Sequence, residues 1–366
     1  MTGGAGFIGS HTVDMLVDKG YEVTVLDNLE PQVHGRQKPK YLNPKVRYIF
    51  GDIRNRSAWV KALNGVEGII HLAASVGVGQ STYMPVKYLR TNTIGTSILY
   101  DILLKNKALR KRIKKIVVAS SKSIYGEGAY YCKKDGVVYP PLRSIEQLKN
   151  KDWEVHCPIC GEYVTPIGIK EDKPPQNLST YALSKYDTER LAVNYGITLD
   201  VPTVAFRYFN VYGPRQSLSN PYTGVIAIFL SRIKNKKEPV LFEDGMQQRD
   251  FIYVNDIAAA NVIGIESKVS GVYNVGTGKP TSLIQMISKI EELLDVKIEP
   301  KITGEFRFGD NRHDFADITK ARKELKFSPK WSLKKGLKEL IDWSAEEEAK
   351  DRFDKAERER KKYLSQ

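Results

Sequence analysis

The chain is 366 residues long, 41% hydrophobic, with a formal charge of +14 and a pI near 9.4. The length suits two lobes sharing one large core, and no run of about 18 apolar residues marks a membrane span. The basic balance favours anionic partners, but the basic residues are scattered and no nucleic-acid motif is present, so a phosphate-bearing small molecule is expected rather than nucleic acid.

The chain opens on Thr2-Gly3-Gly4-Ala5-Gly6-Phe7-Ile8-Gly9, a G-x-x-G-x-x-G loop. Ile8, Val13, Leu16 and Val17 follow at helical spacing, then a strand, Tyr21 to Leu26, closed by Asp27. Glycines let backbone approach a pyrophosphate, the helix N-terminus offers it free N–H groups, and an acidic residue about 20 positions on accepts bonds from a ribose hydroxyl. Such a loop should follow a central strand, and Met1 stands where that strand should end. We therefore expect an apolar segment upstream of Met1; the alternative is a truncated chain that binds cofactor poorly, a non-catalytic nucleotide-binding protein. With no signal peptide before the loop, a cytoplasmic location is expected.

Strand and helix patterns alternate through the first two hundred residues, as βαβ units in a parallel sheet do. Strands are predicted at 46–50, 68–72 and 116–119, with helices at 57–63 and over a long stretch from about 85 to 106. A glycine-rich loop, 76–80, precedes that stretch. The basic run 105–115 reads as a solvated helix end. From 126 to 175 no period is convincing, and all three cysteines fall here, so the segment reads as an insertion. An odd number of close cysteines in such a chain argues for metal or chance rather than a disulfide framework. Regularity returns with a helix at 180–195 and a strand at 201–206. Beyond lie helices at 225–234, from about 254, and at 282–294, and strands at 240–242 and 272–275. The tail, 345–366, is nearly all charge and is expected to be an exposed or frayed helix without chemistry.

Tyr181 and Lys185 fall one helical turn apart on one face. A tyrosine is a poor base at its ordinary pKa near 10, and a nearby ammonium favours its phenolate. Ser121, at a strand end, could bond the same substrate hydroxyl.

These motifs, with Gly51-Asp52-Ile53, His71-Leu72-Ala73-Ala74, Ser120-Ser121…Tyr125-Gly126, Arg207 to Arg215, Gln248 to Asp256 and Tyr273 to Gly276, resemble the extended short-chain dehydrogenase/reductases, the NAD-dependent epimerases and dehydratases of nucleotide sugars. The resemblance implies an α/β fold: a doubly wound (Rossmann) parallel sheet over 1–205, with a smaller substrate-binding lobe over 206–340 from which about 240–262 returns to the first domain. It implies that Gly3, Gly6, Phe7 and Ile8 face the NAD pyrophosphate, Asp27 the adenosine ribose, Asp52 and Ile53 the adenine, and Ala73 and Ala74 the cofactor loop. Ser121, Tyr181 and Lys185 match the catalytic triplet, the last two also touching cofactor. Asn92 matches an asparagine of the active-site helix, placed with the cofactor residues. Asn210, Arg215, Arg249 and Arg312, with Ser121, are the substrate candidates for a nucleoside-diphosphate sugar. A homodimer paired through the stretches near 86–105 and 179–195 is also implied.

The residues after Ser121 set the expected reaction. Dehydratases of this family resemble Thr-Asp-Glu here, and the chain has Ser121-Lys122-Ser123, so elimination lacks its acid and base. Epimerisation at C4 through a transient 4-keto sugar needs neither. A nucleotide-sugar 4-epimerase is expected, with a UDP-glucose/UDP-galactose-type epimerase, a 4-reductase or a dehydratase as alternatives. Cys157-Pro158-Ile159-Cys160-Gly161 has zinc-knuckle spacing, and Cys132-Lys133-Lys134-Asp135-Gly136 resembles the matching half-site. Cys132, Cys157, Cys160 and Asp135 are thus candidate ligands of one structural zinc, with His156 weaker. Such an insertion resembles that of the thymidine-diphospho-L-rhamnose 4-epimerase type, acting on dTDP-L-rhamnose and dTDP-6-deoxy-L-talose.

Overall fold

The computed structural model describes residues 1–35, 37–307 and 309–363. Lys115–Ser121 is buried at every position, and its run Ile116-Val117-Val118 is fully enclosed. An apolar, β-branched run covered on both faces is what the centre of a parallel sheet demands. It pairs in parallel with Gly68–His71 on one side and Thr203–Tyr208 on the other, and Gly271–Val275 lies beyond. Thr24–Asp27 pairs in parallel with Arg47–Phe50. Thr2 bridges both groups, parallel to Leu26 and to His71. The doubly wound sheet is therefore continuous, with Met1 and Thr2 in the place of a short strand. The Thr2 hydroxyl meets His71 Nδ1 at 2.7 Å, and His71 Nε2 meets Thr96 Oγ1 at 2.9 Å.

One face of the sheet buries Trp59, Leu99, Tyr100 and Leu103; the other buries Phe206, Ile257, Ala260 and Tyr273. The helix Thr180–Leu199 starts where Ser179 Oγ accepts the Ala182 N–H and ends at Asp200 in the left-handed region, φ 53°. The long helix expected over 85–106 is three pieces: α over Pro85–Tyr88, π over Leu89–Ile94, and α over Gly95–Lys105. Single π turns often mark functional sites, and this one presents Asn92.

The smaller lobe surrounds Ile226, Phe229, Leu241, Phe251, Met286 and Leu337. Gln248–Tyr253 runs antiparallel to Pro280–Ser282 and parallel to His313–Asp314 and Asn210–Tyr212. The expected boundary shifts. Val240–Leu241 stays in the outer lobe, paired with Lys301–Ile302, while Val254–Glu266 and Gly271–Val275 return to the first sheet.

Two expectations are corrected. The insertion is not structureless: Ala129–Cys132 pairs antiparallel with Gly136–Val138 and Thr165–Ile167 around a small core of its own. Strands this short carry too few residues to show a period. The tail is not frayed either. Its helix Phe353–Tyr363 packs down through Ala356, 7% exposed, and through Arg232, which pairs with Asp351 and Asp354 and stacks on Phe353. Residues 364–366 lie outside the described residues.

Candidate active site

A cavity of about 680 Å³ opens between the two lobes, at the carboxyl ends of the parallel strands. Its floor is the glycine loop: Gly3, Gly6, Phe7 and Ile8 line it. Gly3 sits at φ +70°, and a Cβ there would lie 2.7 Å from the Ala73 amide nitrogen; one on Gly9 would lie 1.9 Å from Gly3 O. Only glycine fits these turns. The loop so tightened against Ala73 and itself lines the cavity at the start of the helix Phe7–Asp18, where free N–H groups suit a phosphate.

Asp27, Asp52, Ile53, Ala73 and Ala74 line the same end. Asp27 closes its strand with one carboxylate oxygen on the Ala5 N–H and the other on the Leu29 N–H, both at 2.9 Å. Each oxygen keeps a lone pair for a further donor. Asp52 accepts from Arg54 and Asn28, and the Arg54 guanidinium holds its carboxyl below the usual range.

Ser121, Tyr181 and Lys185 converge on the cavity further along. Ser121 is fixed at the end of its strand, its Oγ accepting the Ser123 N–H at 3.2 Å and the Ser123 hydroxyl at 2.9 Å. Burial pushes the Tyr181 phenol up, and a hydrogen bond with Ser121 opposes the shift. Burial pulls the Lys185 ammonium down to about 8, opposed by the Glu189 carboxylate. Glu189 itself is gripped by a two-pronged Arg207 at 2.7 and 2.9 Å and by the Ser120 hydroxyl. A phenol, a hydroxyl and an ammonium facing one cavity can trade one proton with a substrate alcohol.

The remaining candidates divide. Asn210 lines the cavity, its amide bonded to Asp250 O and Asp314 Oδ1. Asn92 does not: it is 1% exposed and lies behind the wall, so its place among cofactor-touching residues is corrected. None of the three arginines singled out lines the cavity. Arg312 is fully buried among Glu154, Glu243 and Asp244, a charge cluster that leaves no arm free. Arg249 spans the Asn311 and Arg312 carbonyls and meets Asp314. Arg215 pairs with Asp14 and stacks on Tyr41.

The cationic residues that do face the cavity from this lobe and the tail are Arg307 and Arg360. Glu357 lies between them, accepting from Arg307 at 2.5 Å and from Arg360 at 3.2 Å. Arg307 Nε is buried without a partner among the described residues. Sequence reasoning missed Arg360 because the tail looked purely charged, and Arg307 because it lies in none of the motifs. Phe353 and Ala356, three apart on one helical face, were an anchoring signal in the tail. Lys122 also lines the cavity and is locked to Asp314 at 2.6 Å; burial lowers its pKa, opposed by that carboxylate.

The four candidate metal ligands lie together, apart from the cavity: the ligand atoms of Cys132, Asp135, Cys157 and Cys160 are all within 4.8 Å of one another. His156 is turned away, with its ring nitrogens on Gly161 O and Asp152.

Residues 1–146 and 158–276 match the model of the NAD dependent epimerase/dehydratase family. The chain is 34% identical to the dTDP-L-rhamnose 4-epimerase of Burkholderia thailandensis over 354 residues, which cover 95% of this chain and 94% of that protein. Its fold is similar to the UDP-N-acetylglucosamine 4-epimerase of Methanobrevibacter ruminantium, with a TM-score of 0.76, 32% identity, and coverage of 94% and 96%. It is similar as well to the UDP-glucose 4-epimerase of Thermus thermophilus in complex with NAD, with a TM-score of 0.73, 29% identity, and coverage of 94% and 98%.

Proposed function

The chain belongs to the NAD dependent epimerase/dehydratase family, and we propose that it is a nucleotide-sugar 4-epimerase. The observation that carries this reading is the convergence of Ser121, Tyr181 and Lys185 in one cavity with the glycine cradle and Asp27. The cradle fits a pyrophosphate and Asp27 a ribose, so Gly3, Gly6, Phe7, Ile8, Asp27, Asp52, Ile53, Ala73 and Ala74 would hold NAD. When bound, NAD supplies a reversible acceptor for the hydrogen at C4, which lets a transient 4-keto sugar be reduced on its other face.

Tyr181 takes the C4 hydroxyl proton and returns it. Ser121 bonds the same oxygen and holds the phenol. The Lys185 ammonium, one helical turn on from Tyr181 and facing the same cavity, favours the phenolate. Asn210, Arg307 and Arg360 bound the end toward the smaller lobe, where a diphosphate would find its charge partners. Elimination is disfavoured because Lys122, where an acid would be needed, is committed to Asp314.

The Burkholderia relative and the cysteine-bearing insertion support dTDP-L-rhamnose and its C4 epimer as the substrate pair, with UDP-glucose and UDP-galactose as the runner-up. Incubating the purified protein with NAD and each nucleotide sugar tests this. A C4 isomer should form with no net NADH; an accumulated keto sugar, or consumption of NADPH, would overturn it.

We read the protein as a homodimer. Val86 and Ile94, on the first helical stretch, and Leu183, on the second, are exposed apolar residues on the two predicted pairing elements. Light scattering over a concentration series should give twice the chain mass, and Leu183→Glu should halve it; a wild-type monomer throughout would end the reading. Among the described residues no helix is long and apolar enough to cross a membrane. A cytoplasmic location is proposed with the function, and cell fractionation tests it.

A further inference from the structure

The insertion carries a feature that sugar chemistry does not use. Cys132 and Asp135 sit at the turn between Ala129–Cys132 and Gly136–Val138, where Cys132 pairs with Gly136. Cys157 and Cys160 sit at a second turn, closed by the Cys157 N–H on Glu162 O and by a bridge between His156 and Tyr163. The two turns have one plan. In each, the ligands are three apart and a glycine follows the second: Gly136 at φ +75° and Gly161 at φ +79°. A left-handed residue there turns the chain back so that both side chains point inward. In the second turn the Ile159 N–H also points at Cys157 Sγ, at 3.5 Å.

The separations fit a metal and do not fit a disulfide. Cys132 Sγ and Cys160 Sγ are 3.5 Å apart, and Asp135 Oδ2 lies 3.2 Å from Cys132 Sγ and 3.1 Å from Cys157 Sγ. A disulfide needs about 2.05 Å. A tetrahedron with Zn–S about 2.3 Å and Zn–O about 2.0–2.2 Å has edges of roughly 3.5–3.8 Å, so these three pairs need to open only slightly around an ion. Soft thiolates in a tetrahedral set select zinc among the common divalent ions. Lys133 and Lys134 lie between the first two ligands, and Lys134 pairs with Glu162 at 2.6 Å.

We propose that Cys132, Asp135, Cys157 and Cys160 bind one structural zinc ion that staples the insertion. The local need is clear. The subdomain's own core is six residues, two of them Cys132 and Cys157, too few to hold it by burial alone. What it holds matters beyond itself. Glu127 accepts the Arg312 backbone N–H, and Glu154 grips the Arg312 and His313 side chains. The next residue, Asp314, anchors Lys122 and Asn210 at the cavity wall. The site is closed, with four protein ligands, so its role is structural.

Elemental analysis of the full chain, prepared in reducing buffer without added metal, should find close to one zinc per chain. Exchange with Co²⁺ should give the visible spectrum of a tetrahedral, thiolate-bound ion. Because Cys157 is also one of the six core residues, two variants outside that core are decisive. Asp135→Cys should keep the zinc and strengthen the sulfur charge-transfer band. Asp135→Ala should release zinc to a chelator at least tenfold faster, with a lower melting temperature. Zinc far below one per chain in both wild type and Asp135→Cys, without a cobalt spectrum, would overturn the site. So would a Cys132–Cys160 disulfide in the fresh protein. Unchanged release from Asp135→Ala would remove Asp135 from the ligand set.

Discussion

The Asn92 side-chain amide donates to Ser184 Oγ at 2.9 Å and to Ser75 O at 3.0 Å, while its own oxygen accepts the Ser75 N–H at 2.8 Å. One buried residue thus fastens the helix that carries Tyr181 and Lys185 to the loop after Ala73 and Ala74. Removing it takes a partner from the buried Ser184 hydroxyl and from both backbone groups of the half-buried Ser75, at about 1–3 kcal/mol for a group left unsatisfied. Asn92→Ala should therefore lower kcat and weaken NAD binding together in a folded but less stable protein. A loss of stability with kinetics unchanged would show the clamp to be a packing element alone.

Tyr181→Phe removes the proton carrier and little else. Its ring keeps its edge-on contact with Tyr88, so folding and NAD affinity should hold. Turnover should fall by roughly 10²–10⁴-fold, the usual share of general acid–base catalysis. Near-normal turnover would remove Tyr181 from the mechanism.

Lys185 gives the pH profile its sign. Its pKa is drawn down to about 8, so the ammonium that supports the phenolate is present below that value and lost above it. The kcat/KM profile should fall on the alkaline side with a midpoint near 8. Lys185→Arg keeps its charge at any working pH, and the alkaline fall should vanish from that variant even if its rate is lower. A fall at the same pH in both proteins would assign it to another group.

Asp27 should set cofactor choice. Its carboxylate is fixed by two backbone amides and cannot swing away from a 2′-phosphate, so charge and desolvation both oppose NADP. Titration by protein fluorescence should give much weaker binding of NADP than of NAD, and Asp27→Asn should narrow the gap. Equal affinities in the wild type would count against this role.

Glu357 occupies two guanidinium groups that face the cavity. A diphosphate has to compete with it for them. Glu357→Gln keeps the shape and removes the competing charge, so KM for the nucleotide sugar should drop, by about threefold if the partly exposed ion pair is worth ~0.6 kcal/mol. A rise in KM would mean that Glu357 holds the arginines in their binding pose instead.

The first domain was legible because its signals are local. The glycine loop, Asp27 and the Tyr181–Lys185 spacing each fall within a few residues, and the fully buried strand 115–121 announces itself by its β-branched run. The arginines were not legible. Arg249 and Arg312 sit in strong motifs, but what each guanidinium meets depends on carboxylates and carbonyls more than 60 positions away. Arg307 and Arg360 meet at the cavity only through folding of the tail. In the insertion the cysteine spacing stands out in the sequence, whereas strands of three or four residues show no period and were missed.

The seam at Thr2 has a consequence for how the sheet comes apart. Thr24–Asp27 and Arg47–Phe50 are joined to the other four strands through Met1 and Thr2, whose backbone bonds to Leu26, Ile70 and Leu72 make the crossing. The pair Lys115–Ser121 and Thr203–Tyr208 shares six registered positions by contrast. Thr24–Asp27 and Arg47–Phe50 share only four registered positions, and Arg47–Phe50 lies at the rim of the sheet, so this pair opens ahead of the central one. In native-state hydrogen exchange, the amides of 24–27 and 47–50 should exchange as one early unit, well before those of 115–121. A dinucleotide lying across Gly3 and Asp27 would sit on both sides of the seam, and slower exchange of that unit on adding NAD is the signature it should leave.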